Sequence, residues 1–428
     1  MRYFSTRDAR HEHPYSLKEA AFLGLAPDGG LFMPERIPAA DLEKVCDLAA
    51  VSYADMAIYL ASLYFGDDVA EDALDAMVRR AYDFDCPLRP LTDDLACLEL
   101  FHGPTFAFKD FGARFMGGML GLLNDSGEKL TVLVATSGDT GSAVAAGFHN
   151  VPGIEVTVLF PDGKVSPLQE AQMTTLGGNV RAVAVDGNFD DCQALVKGVF
   201  ADRAFREHHN VTSANSINIL RWIPQSFYYF YAWAQWVRMK GNAPMDVVVP
   251  SGNYGNITAG MLAARMGLPV RRFIGGANAN SVVPEYLASG IYSPRPSVRT
   301  LANAMDVGAP SNFERMMSLF DGSYNKLVSK MEGHSYSDAE ILDAIRTIWK
   351  KYEMISDPHA AVGWMAARDS EAQGIYLATA HSAKFAEVTR RALPDLKPEL
   401  PQQLAAVLTK PRHLSHMANS LDELEKML

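Results

Sequence analysis

The sequence predicts an α/β protein: two parallel-sheet α/β domains with a cleft between them, plus a mainly helical N-terminal module. Three observations predict it. From about residue 129, short apolar runs alternate with helix-length segments, the rhythm of strand–helix–strand units. A second series of such units begins near residue 246. The first 90 residues carry helix-length apolar patterns instead of strand alternation. Two α/β units in one chain make a cleft between them, and such folds bind ligands at the carboxyl ends of their strands.

In chain order, residues 25–38 (LAPDGGLFMPERIP) are rich in glycine and proline and read as turns. Residues 70–84 (AEDALDAMVRRAYDF) set Leu74, Met77 and Val78 on one side of a helix and charges on the other. Residues 130–135 (LTVLVA), 154–160 (IEVTVLF) and 180–185 (VRAVAV) read as buried strands, each followed by a helical stretch, the last ending near Phe205. Crossovers of this kind are right-handed. A long aromatic helix is expected over 218–239, then strands over 246–250 (DVVVP), 269–278 and 374–380 (GIYLATA). The expected division is a helical module over 1–90, an α/β domain over 91–215 and a second α/β domain over 216–428.

A chain of 428 residues exceeds one ordinary core. Its 48% hydrophobic and 21% charged content is that of a globular protein and excludes extensive disorder. The net charge of −11 argues against a nucleic-acid partner. Cys46, Cys86, Cys97 and Cys192 include no C-x-x-C pair, so no metal site is expected. So few cysteines fit a reducing compartment. The start, MRYFSTRDAR, carries charges where a signal peptide needs an apolar run. The most apolar stretch, 227–237, falls short of the ~20 residues of a membrane helix. These features predict a cytoplasmic protein with no membrane partner.

Four turns carry chemistry. In HGPTFAFKDFGARF (102–115), Pro104 and Thr105 open an expected helix with Lys109 in its first turns, among Phe106, Phe108 and Phe111. An apolar pocket and a helix N-terminus both disfavour an ammonium, and a lysine so depressed suits Schiff-base chemistry. The alternative is a surface lysine paired with Asp110. In ATSGDTGSA (135–143), Ser137, Gly138, Thr140 and Gly141 offer backbone N–H groups at a helix start, a site for a carboxylate or phosphate; alternatively Asp139 caps the helix. In PSGNYGNITAG (250–260), Gly252 and Gly255 allow close approach to a phosphate, while Asn253 and Asn256 donate or cap. In ATAHSAKF (378–385), Thr379 ends a buried strand and its hydroxyl suits a ring nitrogen. There His381 reads as an anion contact or a helix-start histidine, and Lys384 as an anion contact or a surface charge. Two further stretches, 161–173 with Lys164 and Ser166, and 212–222 with Ser213, Asn215, Ser216, Asn218 and Arg221, offer phosphate ligands or ordinary capping residues.

Together these motifs resemble the pyridoxal-phosphate enzymes of fold type II, the tryptophan-synthase-β group, and within it the threonine synthases. H-G-P-T-x-x-F-K-D stands at 102–110, S-G-D-T-G-S-A at 137–143, S-G-N-[FY]-G-[ND] at 251–256 and T-A-H-x-A-K-F at 379–385. A-P-D-G-G-L at 26–31 and P-x-G-K-[VI]-S at 161–166 also match, so the resemblance runs in order over roughly residues 1–385. It implies that Lys109 binds the aldehyde of pyridoxal 5'-phosphate and then shuttles protons. It implies that Gly252, Asn253, Tyr254, Gly255 and Asn256 cradle the cofactor phosphate and that Thr379 faces the pyridine nitrogen. Ser137, Asp139 and Thr140 would lie at the substrate carboxylate and cofactor ring. Lys164, Ser166, Ser213, Asn215 and Arg221 are candidates for the departing phosphate. Two residues depart from the pattern, Tyr254 where phenylalanine is frequent and Ser382 where proline is; Asp139 matches it but stands where related enzymes often have asparagine. A negative side chain beside a carboxylate needs a compensating donor or another role.

The implied reaction turns O-phospho-L-homoserine and water into L-threonine and phosphate, the last step of threonine biosynthesis. The rivals are another fold-type-II lyase, such as a threonine/serine dehydratase, and a catalytically silent cofactor-binding protein. The N-terminal block and the lysine motif favour the synthase over the dehydratase, and retention of Lys109, both glycine turns and Thr379 argues against a silent site. A nicotinamide oxidoreductase is disfavoured because no dinucleotide fingerprint is present.

Overall fold

The structure, a computed structural model, describes all residues except 126, 128, 242, 397 and 398, and in addition leaves the side chains of residues 203 and 207 undescribed. The N-terminal region holds a two-stranded antiparallel ribbon, β1 (Tyr3–Ser5) with β2 (Phe32–Pro34), and the helices Leu17–Leu23, Leu42–Val51, Tyr53–Phe65 and Glu71–Ala81. Leu74, Met77 and Val78 are buried, the face the sequence indicates. The Gly/Pro-rich stretch is a turn only to Leu31, since Phe32–Pro34 pairs with β1, a contact made across the chain that no local pattern shows.

The remaining chain builds two sheets. One has six strands in the order β11 (Met331–Ser335), β10 (Val270–Ala277), β9 (Met245–Pro250), β12 (Gly374–Ala378), β4 (Leu95–Glu99), β3 (Leu88–Pro90), all parallel except the β3–β4 edge pair. The other has five parallel strands in the order β13 (Leu414–Met417), β7 (Val180–Val185), β6 (Ile154–Pro161), β5 (Leu130–Ala135), β8 (Val211–Ser213). Every residue of β9 and β12 is buried, which is why these strands read as continuous apolar runs.

Sheet membership departs from chain order at two places. β4, before Lys109, pairs with β12 in the six-stranded sheet, and β13, near the C-terminus, returns to pair with β7. Both strands are short, and LSHM has no apolar alternation to announce it. The expected helix over 218–239 is broken into Ile219–Trp222, a 3-10 turn Ile223–Ser226 and Phe227–Lys240. Pro224 lacks the N–H that a continuous helix would use there.

This topology positions the four turns. Those after β9, β12 and β4 leave the carboxyl ends of three adjacent strands of one sheet, and the turn after β5 leaves the carboxyl end of the other.

Candidate active site

Lys109 is the first residue of the helix Lys109–Leu123, so Pro104 and Thr105 lie in the preceding turn and do not open the helix as expected. That turn is stitched onto the end of β12. Phe108 N–H donates to the Thr379 carbonyl at 2.8 Å, His381 N–H donates to the Phe106 carbonyl at 3.0 Å, and Ala107 bridges Ala380. Phe106 takes a left-handed φ of 58°, which costs a non-glycine residue about 1–2 kcal/mol. Asp110 is buried and accepts from Thr105 N–H at 2.9 Å and Thr105 Oγ1 at 2.6 Å. A Cβ on Gly103 would stand 2.5 Å from Asp110 Oδ2, so the glycine makes room for that carboxyl. Burial pushes Asp110 up to about 6, against the Thr105 hydrogen bonds. Asp110 is thus engaged by Thr105, and Lys109 is not the surface lysine of the alternative reading. Lys109 is half-buried. Burial lowers its pKa to about 8, opposed by Asp139 and assisted by Lys384 and Arg221.

The turn after β5 is held by Thr136, whose Oγ1 accepts from Gly138 N–H at 2.9 Å and Gly141 N–H at 2.8 Å. Gly138 has φ 142°, and a Cβ there would sit 2.4 Å from Gln169 Cδ. The helix Asp139–Phe148 has no side-chain cap, so Asp139 does not play the capping role. Its buried carboxylate Oδ1 accepts from Lys384 Nζ at 2.7 Å and from Gln169 Nε2 at 2.9 Å. Burial alone would raise Asp139, but the ammonium groups of Lys384 and Lys109 outweigh it and hold the carboxyl well below its usual range. Ser137 and Thr140 stay half-buried beside it.

Lys384 is therefore not a surface charge: it is buried and donates to the Thr105 carbonyl at 2.8 Å as well as to Asp139. Thr105 thereby becomes a knot, since its carbonyl also accepts from Gln172 Nε2 at 3.2 Å. His381 keeps the helix-start role: its Nδ1 accepts from Ala383 N–H at 3.2 Å, and burial lowers its pKa. Thr379 is buried immediately after β12.

The turn after β9 leads into the helix Gly255–Arg265 through Tyr254, left-handed at φ 58° and without a side-chain cap. A Cβ on Gly252 would lie 2.5 Å from Met305 Cα, and one on Gly255 would lie 3.1 Å from Asn312 Nδ2. Asn253 ties neighbouring loops together: Nδ2 donates to Ser216 Oγ at 2.6 Å, and Oδ1 accepts from Ser311 N–H at 2.7 Å and its Oγ at 2.8 Å. Asn256 Oδ1 accepts from the hydroxyls of Tyr228 at 2.7 Å and Tyr229 at 2.5 Å. Its buried Nδ2 has no partner among the described residues. An uncapped helix start, a glycine cradle and an orphan amide donor fit an anionic group such as the cofactor phosphate. The Tyr254 hydroxyl is likewise buried without a partner among the described residues. An unsatisfied buried hydroxyl is destabilising, so Tyr254→Phe is expected to raise the unfolding free energy by about 1 kcal/mol. Urea denaturation checks this, and a less stable variant would contradict it.

The phosphate candidates separate. Lys164 is exposed and donates to the Gly187 carbonyl at 2.7 Å. Ser166 caps the helix Pro167–Thr174, and Ser213 Oγ accepts from Asn215 N–H at 3.3 Å, so both serve local turns. Asn215 is half-buried, with its Oδ1 unpartnered among the described residues. Arg221 is buried, donates to the Ala214 carbonyl at 2.6 Å and has its pKa lowered to about 10 by burial. Sequence reasoning missed Gln169, Gln172 and Arg315. Gln169 is visible only as the third residue of a capping box. Arg315 lies in a helix that carries no motif, yet its guanidinium is fully buried on the carbonyls of Ser216 (2.8 Å) and Ile217 (2.6 Å), and Ser216 Oγ in turn accepts from Asn253 of the turn after β9. Among the described residues no group of three or more His, Cys, Asp or Glu side chains is arranged to hold a metal ion.

The chain matches known protein families along most of its length. A family model described as pyridoxal-phosphate dependent enzyme matches residues 90–376. Models described as threonine synthase N terminus and threonine synthase, C-terminal match residues 2–82 and 360–428. The threonine synthase of Serratia marcescens is 43% identical, over 100% of this chain and 99% of that protein. The crystal structure of threonine synthase from Escherichia coli superposes with a TM-score of 0.91 at 39% identity, covering 100% of this chain and 99% of that one. A pyridoxal-phosphate-bound threonine synthase from Brucella melitensis gives 0.92 at 34% identity, covering 100% and 98%.

Proposed function

This chain belongs to the threonine synthase family of pyridoxal-phosphate-dependent lyases, and from that membership we propose its substrate and the roles of its residues. The substrate is O-phospho-L-homoserine, converted with water to L-threonine and phosphate. The observation that carries the residue roles is the placement of Lys109: a lysine lowered to about 8 by burial, on a turn hydrogen-bonded to the Thr379 main chain. At pH 7 about a tenth of such an amine is uncharged, roughly 300-fold more than for a lysine at its ordinary value.

Bound pyridoxal phosphate supplies an electron sink for charge developing at the substrate Cα. The chain supplies the rest. Lys109 would hold the cofactor covalently, and its amine would take the substrate Cα proton and return protons to the substrate. Thr379 offers the ring nitrogen a hydroxyl, which leaves that nitrogen largely neutral. Gly252, Asn253, Tyr254, Gly255 and Asn256 hold the cofactor phosphate: Asn256 through its free Nδ2, the others through the backbone that Asn253 and Tyr254 shape. Ser137 and Thr140 receive the substrate carboxylate. Asp139 can stand beside them because its charge is engaged by Lys384. Asn215, in the turn after β8, and Arg221, in the helix that follows it, would receive the departing phosphate dianion. Lys164, on the rim two strands away, contributes only if it leaves the Gly187 carbonyl.

The test is phosphate release from O-phospho-L-homoserine, with and without added pyridoxal phosphate. Release that depends on the cofactor supports the reading. Ammonia and a 2-oxo acid from threonine or serine, without phosphate release, would replace it with a dehydratase, and bound cofactor with no turnover would mark a silent protein. No described helix is long and apolar enough to cross a membrane, and the four cysteines are unpaired. These facts support a cytoplasmic location.

A further inference from the structure

The Lys384–Asp139 pair has a property no other lysine or arginine ion pair shares among the described residues. Both of its side chains are buried, at 0% and 4% exposure. A buried ion pair of this kind adds little net stability, because two charges must be stripped of water to form it. Its value to the protein lies elsewhere, and its surroundings say where. Three charged groups act electrostatically on Lys109: the Asp139 carboxylate from the helix after β5, the Lys384 ammonium from the turn after β12, and the Arg221 guanidinium from the helix after β8. Asp110, on the Lys109 helix itself, is turned to Thr105. Among the described residues acting on Lys109, Asp139 is therefore the negative charge that favours its ammonium form.

We propose that Lys384 is a positioning residue for Lys109: by engaging the Asp139 carboxylate and the Thr105 carbonyl together, it keeps Asp139 from pairing with Lys109 and leaves the Lys109 amine free to react. The inference rests on the reading of Lys109 as the amine that captures the cofactor. The geometry gives Lys384 two jobs through one ammonium. Its bond to Thr105 fixes the turn that carries Lys109. Its bond to Asp139 falls on Oδ1, the same oxygen that accepts from Gln169, so the carboxylate is held by two donors other than Lys109. The pair also joins the two sheets, since Lys384 follows β12 of the six-stranded sheet and Asp139 follows β5 of the five-stranded one. Lys384 contributes a positive charge that disfavours an ammonium at Lys109, and Asp139 contributes a negative charge that favours it. The two single losses should therefore act on Lys109 in opposite directions.

The experiment follows cofactor capture, not turnover. In that step the Lys109 amine adds to the aldehyde carbon of pyridoxal phosphate, a C=N bond forms and water leaves. Apoenzyme is mixed with sub-saturating pyridoxal phosphate across a range of pH, and the rate of the absorbance change is recorded. The ionisations of the cofactor are common to all variants, so differences in the midpoint belong to the protein. Wild-type capture should rise with pH through a midpoint near 8, because the uncharged amine is the reactive form. Lys384→Met should move the midpoint up by about one pH unit, and Asp139→Asn should move it down by about one. The double variant should return close to wild type, because both charges are gone. A purely structural clamp would slow capture in every variant without separating the midpoints in opposite directions. Coincident midpoints, or shifts of the same sign, would overturn the proposal. If Lys384→Met fails to fold, the isosteric Asp139→Asn and the charge-free double variant decide it: the first must shift down and the second must not. Failure of the underlying reading is distinguishable, because the wild type would then form no borohydride-reducible linkage at Lys109.

Discussion

Lys109→Ala is expected to abolish the borohydride-reducible linkage to pyridoxal phosphate and to lower turnover of O-phospho-L-homoserine at least about a thousandfold, the scale of losing both a covalent anchor and a positioned base. The structure also says what the variant keeps. Lys109 is the first residue of its helix, and the turn before it is held by main-chain bonds to Thr379 and His381 and by the Asp110–Thr105 contacts, none of which uses the lysine side chain. The fold and the phosphate cradle should persist, so the variant should bind the cofactor noncovalently. Mass spectrometry after borohydride treatment and steady-state phosphate release check both statements. A reducible linkage at another lysine, or turnover within tenfold of wild type, would remove Lys109 from its role.

Gly252→Ala should produce the complementary defect. The added Cβ would meet Met305 backbone atoms, Cα at 2.5 Å and the carbonyl carbon and oxygen at 2.9 Å, which no side-chain rotation relieves. Met305 ends a 3-10 turn whose Ala304 N–H donates to His359 Nε2 at 3.2 Å, while His359 Nδ1 lies 2.8 Å from the buried Asp357 carboxylate. That side is anchored, so the phosphate turn must move. Cofactor affinity is expected to fall at least about tenfold, or about 1.4 kcal/mol, while Lys109 still forms its linkage once cofactor is bound. Equilibrium titration of the apoenzyme measures this, and an unchanged dissociation constant would show that the turn at Gly252 does not seat the phosphate. The two variants thus separate covalent capture from phosphate recognition.

Much of the site was legible because its chemistry is written in local backbone requirements. A buried strand running into a glycine turn and then a helix can be read from a dozen residues, and residues 135–143 and 250–260 have that form in the structure. Individual side-chain roles were less legible. Asp139 as a helix cap and Lys384 as a surface charge are each reasonable in isolation, and each gives way once the two residues meet. Asn253 and Tyr254 sit in the expected phosphate turn, but the side chain of Asn253 ties Ser216 to Ser311 and that of Tyr254 is buried in the core. The strands β4 and β13 were missed because a three- to five-residue strand has too few positions to show a period.

The α/β class, the strand-to-helix turns, the lysine with its aromatic neighbours and the motifs behind the resemblance are all readable along the chain, because each depends on residues adjacent in it. Which sheet each turn leaves from, the knot by which Thr105 ties the Lys109 turn to Lys384, Gln172 and Asp110, and the pairing of Asp139 with a lysine that follows a strand of the other sheet emerge only on folding. The physical reason is that a charge has no fixed partner until it loses water. Exposed, Asp139 and Lys384 would each be solvated and independent. Buried at the ends of β5 and β12, each must find an opposite charge, and the fold leaves them one another.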